Sequence, residues 1–199
     1  MTDERDASGE PTDWPVELAG VTESVVTTLG PNDRWNVAAL GLHAGDPVTA
    51  RTYGRTRTRR NFEERGGGYV QFTRDPVDFV DAALAIREAD EPLLDSADAW
   101  VEVTVDRVAV DSEGETEIVT WRLEPVDSEV QRRVVPTTNR GFAAVVEATV
   151  AASRLDVEGY DTETLRDRLA YFESVVDTAG SEREKVAFQR LSDLVDGTW

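Results

Sequence analysis

The sequence has no cysteine, a single histidine and a single lysine among its 199 residues. The absence of cysteine excludes disulfide bonds, a thiolate nucleophile and any metal site built on cysteine. The lone histidine, His43, cannot form a site with several histidine ligands. A Ser-His-Asp arrangement stays formally open, although the sequence contains no G-x-S-x-G pattern that would mark the serine. We therefore predict no metal site and identify no catalytic side chain.

Long apolar runs and nucleotide-binding glycine motifs are also missing. No run approaches the roughly 20 apolar residues that a membrane-spanning helix needs. The N-terminal stretch MTDERDASGE lacks the basic start and the apolar centre of a signal peptide. We expect a cytoplasmic protein that does not bind membranes. The glycines at 66–68 precede a predicted strand, which is the wrong order for a dinucleotide-binding loop, so we interpret them as a helix stop and turn.

Positive charge is scarce as well. The 40 acidic residues outnumber the 21 basic ones, which gives a net charge of -19 and a pI near 4.3. Lys185 is the only lysine. An acidic, lysine-poor surface is typical of halophilic proteins, because concentrated salt screens the self-repulsion; a GC-rich codon bias is the alternative explanation. The acidic field also argues against nucleic-acid binding, which needs positive charge spread over a face.

The first two thirds of the chain predict an antiparallel β-structure. Residues 1–15 are polar and acidic, and we expect them to be disordered. Segments rich in Val and Thr then alternate with turn residues. The predicted strands are 23–29, 35–43, 48–54, 69–73, 99–110 and 116–126. Helices are predicted at 56–65 and, behind an Asp75 N-cap and Pro76, over 75–89. This order favours an α+β fold built on an antiparallel barrel.

The last third predicts three successive helices. In the first, at 139–155, Val145 and Thr149 lie on one apolar face. The second covers 162–180, and the third begins with Ser181 and Glu184 in capping-box spacing. We therefore predict a barrel domain over 16–137 and a helical subdomain over 138–199.

One short segment reverses the overall charge. Between Arg51 and Arg74 the sequence has seven arginines and two glutamates, so the segment carries a charge of +5. Its stretch GRTRTRRN, at 54–61, combines guanidinium groups, hydroxyl groups and the N–H groups of a predicted helix start, all of which bind phosphate. Arg57 and Thr58 are the strongest candidates, while Arg59 and Arg60 could equally pair with acidic surface residues. The alternative is that this basic segment only neutralises the acidic bulk.

The order of these motifs resembles a known family. The stretches ESVVTTLGPNDRWNVAALGL, ARTYGRTRTRRNFEERGGGYVQFTRDPVDFVDAAL and NRGFAAVVEATVAASRL are together similar to the archaeal family DUF447, which resembles the flavin reductase-like, FMN-binding split barrels. The resemblance covers most of residues 18–199. The chain departs from the family pattern at Gln71, where Asn is frequent, and at Ala39, where Pro is common.

The resemblance implies an FMN-binding split β-barrel with a C-terminal helical subdomain. It implies contacts along the isoalloxazine ring from Thr27, Thr28, Asn36, Val37, Ala38 and Ala39, phosphate contacts from Thr56, Arg57, Thr58 and Asn61, and further contacts from Asn139 and Arg140. It also implies a homodimer and a flavin-dependent oxidoreductase, with a nicotinamide or a deazaflavin as the small-molecule electron donor or acceptor. The alternatives are a non-catalytic flavin-binding module, a deazaflavin-binding reductase on the same fold, and a scaffold whose basic segment contacts an acidic partner or RNA.

Overall fold

The structure is a computed structural model that describes residues 13–155, 157–197 and 199. The strands are β1 (Val21–Leu29), β2 (Trp35–His43), β3 (Val48–Tyr53), β4 (Gly67–Thr73), β5 (Arg87–Ala89), β6 (Ala97–Glu113) and β7 (Thr116–Val130). The helices are α1 (Arg57–Arg65), α2 (Pro76–Leu84), α3 (Arg140–Ala152), α4 (Thr162–Ala179) and α5 (Glu182–Leu194). Most of the N-terminal segment that was predicted to be disordered, residues 1–12, lies outside the described residues.

Six strands form a closed antiparallel barrel, which confirms the predicted fold class. The order around the barrel is β1-β4-β6-β7-β3-β2, and β1 pairs with β2 to close it. β3 pairs with β2 only at Leu42 and His43. The other half of that edge of β2, from Trp35 to Val37, pairs with β5 instead. The barrel is therefore split at this edge, and β5 covers backbone groups that β3 leaves free.

The barrel core follows from the alternation in the strand sequences. Val101, Val103 and Val105 in β6 are at most 9% exposed, whereas Glu102 and Thr104 between them point outward. Phe62 of α1 enters this core and makes an edge-to-face contact with Trp121, with ring centroids 5.3 Å apart. α1 is thus held against the barrel by its own apolar side chain.

The glycines at 66–68 have two different roles. Gly66 ends α1 in the left-handed conformation, with φ at 72°, as the helix-stop interpretation predicted. Gly67 and Gly68 belong to β4 instead. A Cβ atom on Gly68 would lie 2.5 Å from the carbonyl oxygen of Thr27, so only glycine fits this close approach of β4 to β1.

The second helix is shorter than the sequence predicted. Asp75 caps α2 as expected, since its side chain accepts hydrogen bonds from the N–H groups of Val77 and Asp78. The helix ends at Leu84, however, and Arg87–Ala89 form β5 instead of the last helical turn. The half-free edge of β2 offers these backbone groups a ladder, which replaces the helical hydrogen bonds.

The three C-terminal helices pack mainly on α2, and α3 also reaches the outer barrel face through Val146. Val80 of α2 is fully buried in one cluster with Val145, Leu169 and Leu191, which come from α3, α4 and α5. Phe79, its neighbour on α2, belongs to a different cluster on the outer barrel face. α2 therefore joins the two layers. The predicted capping box of Ser181 and Glu184 is present at the start of α5.

Candidate functional site

The N-cap and the first turn of α1 contain three of the four predicted phosphate-binding residues, Thr56, Arg57 and Thr58. Thr56 is the N-cap, and its hydroxyl oxygen accepts a 3.1 Å hydrogen bond from the N–H of Arg59. The turn that follows consists of Arg57, Thr58, Arg59 and Arg60. A helix start concentrates positive potential from its free N–H groups, and here the side chains add to it.

Buried polar contacts hold this turn against the barrel. The side-chain amide of Asn36, on β2, donates to the hydroxyl of Thr58 over 3.3 Å. One turn later, the amide of Asn61 donates to the hydroxyl of Thr28 over 3.0 Å and to its carbonyl over 3.3 Å. Thr28 and Asn61 are fully buried. Four of the predicted site residues are thus brought together, although they come from three different elements.

A carboxylate that the sequence did not single out lies beside this turn. Glu88, on β5, accepts a 2.6 Å hydrogen bond from the guanidinium of Arg57. It also accepts a 3.1 Å hydrogen bond from the side-chain amide of Asn32 and lies 3.6 Å from the guanidinium of Arg34. No local pattern marks Glu88, because its position depends on the pairing of β5 with β2. Arg57, the first residue of α1, is therefore already paired with a carboxylate.

The residues predicted along the flavin ring lie on both faces of the β1–β2 pair. Thr27 and Thr28 are neighbours, so their side chains point in opposite directions. Thr28 contacts α1, whereas the hydroxyl of Thr27 donates to the carbonyl of Pro92 over 2.6 Å. Both residues are fully buried. The structure therefore does not bring these two side chains to one common surface.

The side chains of β2, the neighbouring strand, also alternate between the two faces. Val37 and Ala39 pack in the outer cluster with Phe79 and Leu94, whereas Ala38 packs against the barrel core. Val37 is 2% exposed. The ring contacts as a set stay a prediction.

Gln71, where the chain departs from the family pattern, has a structural part on the outer face. Its amide nitrogen donates to the hydroxyl of Thr27 and to the carbonyl of Pro92, at 3.2 and 2.9 Å. Its amide oxygen accepts a 2.7 Å hydrogen bond from the N–H of Leu94. Gln71 thereby anchors the segment between β5 and β6 to the barrel, which an asparagine, one methylene shorter, would not reach in the same way.

Asn139 and Arg140 lie at the start of α3. The side chain of Asn139 caps this helix by accepting from the N–H groups of Gly141 and Phe142, and its amide donates to Glu184 over 3.0 Å. Burial alone would raise the pKa of Glu184, but hydrogen bonds from Ser181 and Asn139 lower it. Arg140 is exposed. Within the described residues, no hydrogen bond or ion pair joins either candidate to α1, and their part in a cofactor site stays a prediction.

The other arginines of the basic segment behave differently from one another. Arg59 pairs with Glu63 over 3.1 Å and also with Glu117, as the acidic-surface alternative predicted for it. Arg51 and Arg55 are exposed and have no ion pair within the described part of the chain. The basic segment is therefore partly neutralised by the protein itself.

An aromatic row that the sequence analysis missed crosses the barrel near the outer cluster. Tyr69 lies between Trp35 and Trp100, with edge-to-face centroid distances of 5.5 and 5.8 Å. Burial, together with the negative charges of Glu102 and Asp127, raises the pKa of Tyr69, so its phenol stays neutral at physiological pH. The three rings come from β2, β4 and β6, and only the strand order makes them neighbours.

Comparison with known families assigns the chain. Residues 22–132 match the N-terminal domain of the protein of unknown function DUF447, and residues 139–193 match the second domain of DUF447. The chain belongs to the DUF447 family. The family suggested by the three sequence stretches is therefore confirmed.

Three solved structures are similar to this DUF447 chain to different degrees. An FMN-bound DUF447 protein from Methanosarcina mazei matches 89% of this chain and 96% of its own, with a TM-score of 0.76 and 23% identity. Component B of nitrilotriacetate monooxygenase from Bacillus cereus matches 57% of this chain and 71% of its own, with a TM-score of 0.42 and 16% identity. The styrene monooxygenase flavin reductase from Pseudomonas putida S12 matches 60% of this chain and 95% of its own, with a TM-score of 0.41 and 14% identity. The first of these superpositions confirms the predicted split barrel with C-terminal helices.

Two further kinds of feature are absent from the described residues. No helix there is long and apolar enough to cross a membrane. The described residues also contain no group of three or more His, Asp or Glu side chains placed to hold a metal ion.

Proposed function

We propose that this DUF447 chain binds FMN, with the phosphate at the start of α1, and acts as a flavin-dependent oxidoreductase. The observation that carries the proposal is the first turn of α1, where Arg57 and the hydroxyl of Thr58 adjoin a helix start in a chain of net charge -19. The FMN-bound family member from Methanosarcina mazei supports the choice of ligand.

The residues at this turn fit the phosphate group chemically. Phosphate is bound by guanidinium groups, by hydroxyl groups and by the N–H groups of a helix start. Arg57 supplies the first, Thr58 and Thr56 supply the second, and the first residues of α1 supply the third. Asn36 keeps the Thr58 side chain in place through their hydrogen bond.

The chemistry itself needs no acidic or basic side chain of this protein. When bound, FMN supplies two-electron redox chemistry, while the protein binds and orients it and limits contact with water. This agrees with a sequence in which no catalytic side chain could be identified. A nicotinamide or a deazaflavin is the proposed electron donor, and a homodimer is the proposed assembly. The proposed domains are 16–137, which binds the cofactor, and 138–199, which is helical.

An absorption spectrum of the protein tests the proposal most directly. The protein is purified in high salt, supplied with FMN and freed of unbound ligand; retained flavin absorbance is the expected result. Bleaching of that absorbance by NADH, NADPH or a reduced deazaflavin would separate an oxidoreductase from a module that only binds flavin. A protein that never retains FMN would contradict the proposal and favour the scaffold alternative.

Substitution of Arg57 tests the location of the phosphate. Arg57→Ala is expected to raise the FMN Kd about tenfold, or about 1.5 kcal/mol, the lower end for a hydrogen bond to a charged group. The value is low because the Arg57 side chain is 43% exposed. Arg65→Ala removes the same charge at the far end of α1 and should leave the Kd within about twofold. An equal change of the FMN Kd in Arg57→Ala and Arg65→Ala would mean that Arg57 does not bind the phosphate.

A further inference from the structure

Glu88 lies where the proposed phosphate site needs a free guanidinium. Its carboxylate is 2.6 Å from the Nη1 atom of Arg57. The first turn of α1 contains three arginines, a threonine and no acidic residue of its own. An anion is stabilised at such a helix start, and Glu88 is the carboxylate that pairs with its first arginine.

The register of β5 explains how Glu88 comes to this position. β5 pairs with β2 so that Glu88 stands opposite Asn36. Directly opposite residues in an antiparallel pair have their side chains on the same face of the sheet. Asn36 in turn donates to Thr58 in the first turn of α1. The carboxylate and the helix start are therefore held on one side of the barrel by backbone pairing.

We propose that Glu88 is an internal competitor for the phosphate of FMN, and that it limits how strongly the chain prefers FMN to riboflavin. The inference rests on the proposed function, since it concerns the same site. A phosphate that binds Arg57 must share or displace the carboxylate, and the two negative charges repel each other. Riboflavin has no phosphate, so its binding does not involve this exchange.

The surroundings of Glu88 make the exchange feasible. Asn32 donates to the second carboxylate oxygen over 3.1 Å, and the guanidinium of Arg34 lies 3.6 Å away. These two residues can keep the carboxylate hydrogen-bonded and partly neutralised when the Arg57 guanidinium binds a phosphate instead. Glu88 therefore need not be left as an unpaired charge, which would otherwise oppose the exchange.

The exposure of the pair sets the size of the effect. The side chains of Arg57 and Glu88 are 43% and 29% exposed, so solvent screens their attraction. Exposed or half-exposed ion pairs contribute little to stability, and their competition with a ligand is correspondingly modest. We expect the FMN Kd of Glu88→Gln to be about fivefold lower than that of the unmodified protein.

The test compares FMN with riboflavin in three proteins. Flavin fluorescence titrations give the Kd of both ligands for the unmodified chain, for Glu88→Gln and for Glu91→Gln. Glu91 is exposed and has no ion pair within the described part of the chain, so Glu91→Gln makes the same charge change three residues away. Circular dichroism spectra and thermal midpoints of the variants check that the barrel is retained.

The expected result is a lower FMN Kd for Glu88→Gln alone, with riboflavin Kd values within about twofold throughout. In about 1 M salt the Debye length falls to about 3 Å. The lower FMN Kd of Glu88→Gln should therefore persist if the carboxylate and the phosphate are in contact, whereas a long-range charge effect would be screened out.

Three results would overturn the inference and leave the proposed function standing. An FMN Kd unchanged in Glu88→Gln means that the carboxylate does not compete, and a higher one means that it positions Arg57. An equal fall of the FMN Kd in Glu88→Gln and Glu91→Gln would mean that the effect comes from the net charge and not from the contact with Arg57. If the unmodified protein binds neither flavin, the proposed function fails first and the inference falls with it, whereas the other outcomes refute the inference alone.

Discussion

Removal of the Asn61 side chain should loosen α1 from the barrel. Asn61 is fully buried, and its amide group makes two hydrogen bonds to Thr28, at 3.0 and 3.3 Å. Asn61→Ala removes both. Each neutral hydrogen bond contributes about 1 kcal/mol net, and the lost amide group also leaves a small cavity. We expect the free energy of unfolding to fall by about 2–3 kcal/mol, which corresponds to a fall of about 4–12 °C in Tm for a chain of this size.

Thermal unfolding followed by circular dichroism in high salt measures this effect. Thr28→Val removes only the hydroxyl acceptor and should cost about 1 kcal/mol. Because the two side chains share one hydrogen bond, the double variant should lose about 1 kcal/mol less than the sum of the single variants. Asn32→Ala is the matched control, because this asparagine lies in an exposed turn and its removal should cost at most about 0.5 kcal/mol.

Two results would refute the reasoning about Asn61. A loss below about 1 kcal/mol would mean that the buried amide contributes no more than a surface group. Additive single variants would mean that the hydroxyl of Thr28 and the amide of Asn61 do not interact in solution.

Three further predictions concern the barrel, its junction with the helices and its charge. Gly68→Ala should prevent folding or destabilise the barrel severely in a chemical unfolding assay, because the new Cβ would lie 2.5 Å from the Thr27 carbonyl; Gly45→Ala, whose closest contact is 3.3 Å, should be tolerated. Burial alone would raise the pKa of Asp75, but hydrogen bonds from Arg183 and from backbone N–H groups lower it. The ionised Asp75 should stabilise the fold fully above the ordinary pKa of about 3.8, and this stabilisation should be lost as the pH falls through the lower pKa of the folded state. In an acid titration, Asp75→Asn should therefore lose less free energy of unfolding than the unmodified protein. An identical profile for the two proteins would contradict this. With a net charge of -19, the Tm should rise with salt concentration; a Tm independent of salt would favour the codon-bias explanation.

Several local features of the structure were predictable from residue patterns. The N-cap at Asp75, the capping box of Ser181 and Glu184 and the left-handed end of α1 at Gly66 all follow from hydrogen bonds within a few residues. The alternation of Val101 and Val103 likewise identified the buried face of β6. These signals depend on neighbouring residues only, so they can be interpreted without knowledge of the rest of the fold.

Contacts of long sequence separation could not be predicted in this way. Glu88 lies 31 residues from Arg57, and Asn61 lies 33 residues from Thr28. The sequence interpretation placed Glu88 in a helix, because α2 has no clear stop signal before Ala89. The edge of β2 that β3 leaves free is a property of the assembled sheet, and it determines that Arg87–Ala89 become a strand.

The sequence by itself determined most of the strands, the helical third and a basic helix start at Arg57 and Thr58, since strand alternation, helix periodicity and capping depend on neighbouring residues. The tertiary structure alone decided which side chains surround that helix start. Strand register placed Asn36 and Thr28 beneath α1 and brought Glu88 to Arg57. Register depends on how whole strands align, and a shift of one residue would turn each of these side chains to the other face.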